Sequence, residues 1–333
     1  MSFPTTPIAK LTGHNGIVHA VAYSSGSQSY ILTGSSDRTI RLYNPQKAPP
    51  SSVAPTPSSA YPPGLVNKYT AHGYEVLSID VNESNDRFVS TGGDKTVFLW
   101  DVQTAQTVRR WTGHSGRVNR GVFGGEGDSI IATGSFDGTV RIWDVKSNAH
   151  KPIMTLADAK DAITDVAVHD ADILASSVDG RVRIYDLRMG MCQVDVIGHP
   201  CTSLSLSKKG TEMLVGALDS TVRLMDRTNG EMLKAYRDDA FVNKELRVRS
   251  TLGLNDTVVV SGSDDGMIFA WDLEGACLHK FKHSEMKEVK GKVAGPVVGQ
   301  KDVVSAVTFC KTRREWCSAG GDGNVVVWGM GSR

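Results

Sequence analysis

The stretch Gly134–Val145, GSFDGTVRIWDV, decides how the chain is read. Asp137-Gly138 is a tight-turn dipeptide. Behind it, apolar Val140 and Ile142 alternate with Thr139 and Arg141, the period of two of a half-buried strand. Trp143-Asp144 ends the run. Aligned on that ending, seven segments match: GSSDRTIRLYN, TGGDKTVFLWD, GSFDGTVRIWD, SSVDGRVRIYD, GALDSTVRLMD, GSDDGMIFAWD and AGGDGNVVVWG. Each carries an aspartate six positions before the aromatic slot: Asp37, Asp94, Asp137, Asp179, Asp219, Asp265 and Asp322. The slot holds Tyr43, Trp100, Trp143, Tyr185, Met225, Trp271 and Trp328.

Bulk properties fit a repetitive β protein. The chain has 333 residues, of which 40% are hydrophobic, enough for a large core; length alone suggests about two domains, a prior that repeats override. Thirty-four glycines against 12 prolines suit many short strands joined by tight turns. The net charge of +1, from 37 basic and 36 acidic residues, gives no global pull toward nucleic acid or an anionic membrane. The five cysteines are odd in number and show no CxxC spacing, which argues against a zinc site or a disulfide framework and for buried, reduced thiols. The opening MSFPTTPIAKL lacks the regions of a signal peptide, and no apolar run approaches the roughly 18 residues of a membrane span. A soluble protein of the nucleus and cytoplasm is expected.

Successive aromatic slots lie 57, 43, 42, 40, 46 and 57 residues apart. The inner spacings fit the roughly 40–45-residue period of a four-stranded propeller blade. Gly13-His14, Gly113-His114 and Gly198-His199 supply a second landmark before the first strands, with Ala71-His72 as a variant. Together these features resemble the WD-repeat family, from about Ile8 to Trp328. The resemblance implies an all-β, seven-bladed β-propeller of four-stranded antiparallel blades spanning residues 1–333. The last repeat stops at Trp328 without an outer strand, whereas a spare strand, Pro7–Leu11, stands at the other end. Their pairing is expected to close the ring and hide two strand edges.

In the family, His, Ser or Thr, Asp and Trp of one blade form a hydrogen-bonded chain. Two repeats match throughout: His72, Ser90, Asp94, Trp100 and His114, Thr133, Asp137, Trp143. These residue types also evoke a hydrolase triad, but a catalytic site is not repeated around a ring, and the indole N–H gives the set a structural endpoint. Repeats four to six are degenerate: Ala175 with Tyr185, Val215 with Met225, and a sixth repeat without a matching histidine. They are expected to lean on packing, with the aspartate kept for its turn.

The family grips partners with the loops before first strands and the turns between second and third strands. Carried over, the candidate rim includes His19, Glu75, Leu77, Arg117, Asn119, Phe136, Val178, Leu218 and Asp264. Phe136 stands out as an aromatic at a turn, the residue class that anchors interfaces, with folding back onto its own blade as the alternative. Two insertions break the period. Asn44–Gly64 is rich in Pro and Ser and is expected to be a disordered or polyproline-like surface loop, with a Pro-rich ligand as the alternative. Lys282–Asp302 carries Lys282, Lys287, Lys290, Lys292 and Lys301; it is read as a solvated loop, with direct RNA contact through it possible but not favoured. No phosphate loop, metal-spaced cluster or paired-carboxylate pocket is found, so no enzyme, metal or cofactor is expected.

A narrower resemblance rests on AHGYEVL (Ala71–Leu77), GGDKTVFLWDV (Gly92–Val102), DAKDAITDV (Asp158–Val166), SVDGRVRIYDLRMG (Ser177–Gly190) and LDSTVRLMDRTNGEML (Leu218–Leu233). These stretches resemble the mitogen-activated protein kinase organizer group of WD-repeat proteins. The two insertions depart from it. The resemblance implies a non-enzymatic scaffold, a monomer within larger assemblies, associated with the spliceosome in pre-mRNA splicing. The alternative is assembly of an extracellular-signal-regulated kinase cascade; a ubiquitin-ligase substrate adaptor is a weaker one.

Overall fold

The computed structural model describes residues 2–48, 61–289 and 303–331. The central parts of both insertions, 49–60 and 290–302, including Lys290, Lys292 and Lys301, lie outside the described residues. Seven antiparallel sheets form the seven blades of a propeller. Their first strands are Val18–Tyr23, Val76–Val81, Val118–Gly124, Ile163–His169, Cys201–Leu206, Ser250–Gly253 and Val304–Phe309. Successive first strands contact one another around the ring, so they surround a central channel.

Burial runs outward along each blade. In blade 2 the third strand, Thr96–Asp101, is buried up to its last residue. The outer strand, Thr107–Thr112, buries little beyond Trp111. Other outer strands are pinned in the same way by one aromatic each: Tyr69, Tyr236 and Phe281, all at most 1% exposed. A single large side chain thus fixes a strand that otherwise faces water.

The ring closes between the chain's two ends. Thr6–Leu11 pairs antiparallel with Val325–Gly329, as the orphaned last repeat demands. Upstream, Phe3 stacks against His279 and Phe281 of blade 6 and packs on Phe309 and Trp316 of blade 7. The Trp316 indole N–H donates to the Pro4 carbonyl at 2.9 Å.

Two local devices repeat around the ring. The residue after each turn aspartate has a positive φ: Arg38, Lys95, Gly138, Gly180, Ser220, Gly266 and Gly323. Four of the seven are glycine, which takes that conformation without a Cβ penalty. The first strands of blades 1–5 and 7 carry a register shift at their second residue. Such a bulge leaves one residue out of the ladder and re-aims its side chain. Blade 6 differs at its outer edge, where Lys287–Glu288 adds a fifth short strand.

Candidate functional site

The polar chains fix the turns that shape one face of the ring. In blade 3 the Trp143 indole N–H donates to Thr133 Oγ1 at 2.8 Å. Thr133 Oγ1 lies 2.8 Å from His114 Nε2, and His114 Nδ1 lies 2.9 Å from Asp137 Oδ2. With a neutral imidazole the proton order is consistent: the threonine hydroxyl donates to Nε2 and Nδ1–H donates to the carboxylate. Burial holds His114 below its ordinary pKa despite the opposing pull of Asp137. Burial alone would raise Asp137, but bonds from Thr139, His114 and the Ser115 N–H outweigh it and hold the carboxyl well below its usual range. Blade 2 repeats this with His72, Ser90, Asp94 and Trp100 at 2.7–2.8 Å. Ser90 and Thr133 are fully buried, which denies any substrate access to either hydroxyl.

Two further chains escaped the sequence reading. In blade 1, His14 bridges Asp37 at 2.9 Å and Thr33 at 2.8 Å, while Tyr43 sends its hydroxyl to the Thr12 carbonyl. In blade 7, Ser318 meets His283 Nδ1 and the Trp328 indole at 2.9 Å, and His283 Nε2 lies 3.3 Å from Asp322. His283 falls within the second insertion by sequence but is 2% exposed and belongs to the polar chain of the last blade.

Where the chain breaks, arginine replaces histidine. Arg183 grips Asp179 through both terminal nitrogens, at 3.3 and 2.7 Å, and Arg223 does the same to Asp219. Blades 4 and 5 therefore keep a polar anchor and do not rest on packing alone. His199 is displaced by this arrangement: its side chain is 53% exposed and 3.7 Å from Asp219, because Val215 offers no hydroxyl to its ring. Among the described residues blade 6 has neither substitute, and the Trp271 indole N–H is buried without a hydrogen-bond partner.

The turns so anchored surround the channel mouth. The Phe136 N–H donates to the Arg117 carbonyl at 2.9 Å, which places that turn over the lead-in to blade 3's first strand. Phe136 is 54% exposed, and the Arg117 guanidinium lies over its ring, 5.0 Å from the centroid. Tyr74, in the corresponding lead-in of blade 2, is 61% exposed. Inside the ring of first strands opens a cavity of about 300 Å³, whose walls include Ile17, His19, Leu77, Arg117, Asn119, Arg247 and Arg249. The bulged residues His19, Leu77, Asn119 and Ser305 all reach it. Burial and the neighbouring Arg247 push His19 down to about 4, with Glu75 opposing.

Comparison with known proteins matches this architecture. The family "WD domain, G-beta repeat" matches residues 5–44, 64–101, 105–144 and 150–186. WD repeat domain-containing protein 83 of Rattus norvegicus is 42% identical over 81% of this chain and 80% of its own length. The Homo sapiens protein of that name is 41% identical over 82% and 81% respectively. Its Dictyostelium discoideum homolog is 24% identical over 96% of both chains. The chain belongs to the WD-repeat family.

Within this WD-repeat propeller the candidate rim residues divide. Phe136 and Arg117 are exposed, and His19, Glu75, Leu77, Val178 and Leu218 are half-buried. Two leave the rim. Asp264 is fully buried and accepts the backbone N–H groups of Lys244 at 2.8 Å and Glu245 at 3.1 Å, so it ties down a loop. Asn119 is 5% exposed; its amide donates to the Ile163 carbonyl at 2.6 Å, bracing blade 3 against blade 4. Cys192 departs from the expected burial and is exposed on an outer strand. Among the described residues, no helix is long and apolar enough to cross a membrane.

Proposed function

We propose that this WD-repeat protein is a non-enzymatic scaffold whose partner surface is the rim around the channel mouth, and that it assembles components of an extracellular-signal-regulated kinase cascade. The observation that carries the scaffold reading is the exposed Phe136–Arg117 pair beside a cavity. Half-exposed aromatic and guanidinium groups over a pocket are the usual anchors of protein interfaces. The kinase-cascade reading rests on the narrower resemblance of the five quoted stretches. The names of the relatives add only that they too are WD-repeat proteins.

Affinity purification from nuclear and cytoplasmic extracts tests the assignment. Kinases of the cascade, recovered by the intact chain and lost with Phe136→Ala/Arg117→Ala, are the expected result. Splicing factors and small nuclear RNAs without kinases would replace this reading with the spliceosomal one.

A further inference from the structure

The channel mouth gathers guanidinium groups that its own carboxylates do not satisfy. Arg247 and Arg249 flank Val248, which is 1% exposed, just ahead of blade 6's first strand. In extended backbone, residues two apart share a face, so both arginines turn toward the cavity while Val248 turns into the blade. Arg247 Nη1 reaches across the ring to the Asn119 carbonyl at 2.8 Å, which brings both beside Arg117 and Arg120 of blade 3.

Asp165 is the carboxylate they share. It lies 3.3 Å from Arg120 Nε and 3.9 Å from Arg247 Nη2, neither aligned as a hydrogen bond, and it already accepts the N–H groups of Val166 and Leu204. Asp80 accepts from the Phe123 N–H, and burial raises its pKa, which weakens it as a counter-charge. Glu75 and Glu245 stand nearer the solvent at the rim. Arg120 Nε, Arg247 Nε and Nη2, and Arg249 Nη2 are buried without hydrogen-bond partners among the described residues. Burial and mutual repulsion push Arg247 down to about 10 and Arg249 well below its ordinary value. Buried charged donors without a protein partner are met in folded chains by water or by a bound ion.

We propose that the channel mouth binds a compact oxyanion of the phosphate class through Arg117, Arg247 and Arg249. A phosphate monoester brings nearly two negative charges and three strong acceptor oxygens. Its oxygens suit the guanidinium groups of Arg117, Arg247 and Arg249 that line the cavity, whereas a carboxylate brings one charge and two oxygens. Guanidinium forks are suited to such groups. The anion has two possible sources, free phosphate or a phosphorylated side chain. The inference stands on the cavity itself and does not depend on the kinase reading.

Calorimetric titration of the full chain with inorganic phosphate, O-phosphoserine and acetate tests it. Saturable binding of the first two is expected, with Arg247→Gln/Arg249→Gln weakening it about ten-fold or more. Tighter binding of O-phosphoserine assigns the side-chain source, and equal binding assigns free phosphate. Should the double variant fail to fold, Arg117→Gln, at an exposed position, is expected to weaken binding in the same direction. Absence of binding at millimolar phosphate, equal binding by the folded variants, or equal binding of acetate would overturn the proposal.

Discussion

Trp328 and Trp271 occupy equivalent slots, and both are fully buried. Trp328 stacks on Trp316 with ring centroids 5.1 Å apart, and Trp271 stacks on Phe269 at 5.7 Å. Their indole N–H groups differ: that of Trp328 donates to Ser318 at 2.9 Å, and that of Trp271 has no partner among the described residues. Replacing each by phenylalanine removes similar apolar volume and keeps an aromatic stack, so the packing loss largely cancels between the two variants. Trp328→Phe also loses a hydrogen bond worth about 1 kcal/mol net. Trp271→Phe instead removes an unmet buried donor whose retention costs about 1–3 kcal/mol. The expected gap is therefore about 2–4 kcal/mol, with Trp328→Phe the less stable variant. Equilibrium urea unfolding of both variants measures it, provided their m values agree. Equal losses, or a greater loss in Trp271→Phe, would mean that packing alone sets blade stability and would refute the role given to the polar chains.

Arg183→Met strands the carboxylate of Asp179, whose side chain is only 8% exposed, and is expected to destabilise by about 3 kcal/mol in the same urea assay. Arg183→Lys should recover only part, since an ammonium lacks the two-pronged geometry. Deleting residues 2–11 removes the outer strand of blade 7 and the Phe3 anchor; hydrogen exchange across Val325–Gly329 should accelerate, and thermal stability matching the full chain would contradict ring closure. Stability should also fall with acid in two stages. Folded His19, at about 4, resists a proton that the unfolded chain takes up below about 6.5, so stability is whole above that value and declines between the two. Asp94, Asp137 and Asp322 are held low when folded, Asp322 at about 2, so their contribution persists to about pH 4 and is lost as the pH falls further. Urea midpoints measured across this range check both stages, and a flat profile above pH 4 contradicts the first.

The fold was legible because the turn aspartate and the aromatic slot recur at fixed separation, and a period of two marks each strand. The chains in blades 2 and 3 were legible for the same reason: hydroxyl and indole lie ten residues apart. Blade 7 hid its histidine because His283 stands 35 residues before Ser318, against 18–19 in blades 1–3. Blade 1 was hidden by Tyr43, which ends no hydroxyl chain. The Arg–Asp anchors were illegible for a different reason. Arginine also follows the turn aspartate by four positions in blades 1 and 3, where histidine already holds the carboxylate, so the sequence pattern is the same and the partner differs. Asp264 looked like a rim residue because it precedes a turn aspartate; only the course of the Lys244–Glu245 backbone buries it. The channel arginines converge across 128 residues of chain, as the Arg247–Asn119 bond measures, and LRVRS alone reads as a strand with a solvated face.

Calorimetry of purified chain with an extracellular-signal-regulated kinase module tests most directly whether the channel-mouth rim is the partner surface. The intact chain should bind, and Phe136→Ala/Arg117→Ala should bind about ten-fold or more weakly with an unchanged urea midpoint. No binding by the intact chain, or equal binding by the variant, would contradict the account.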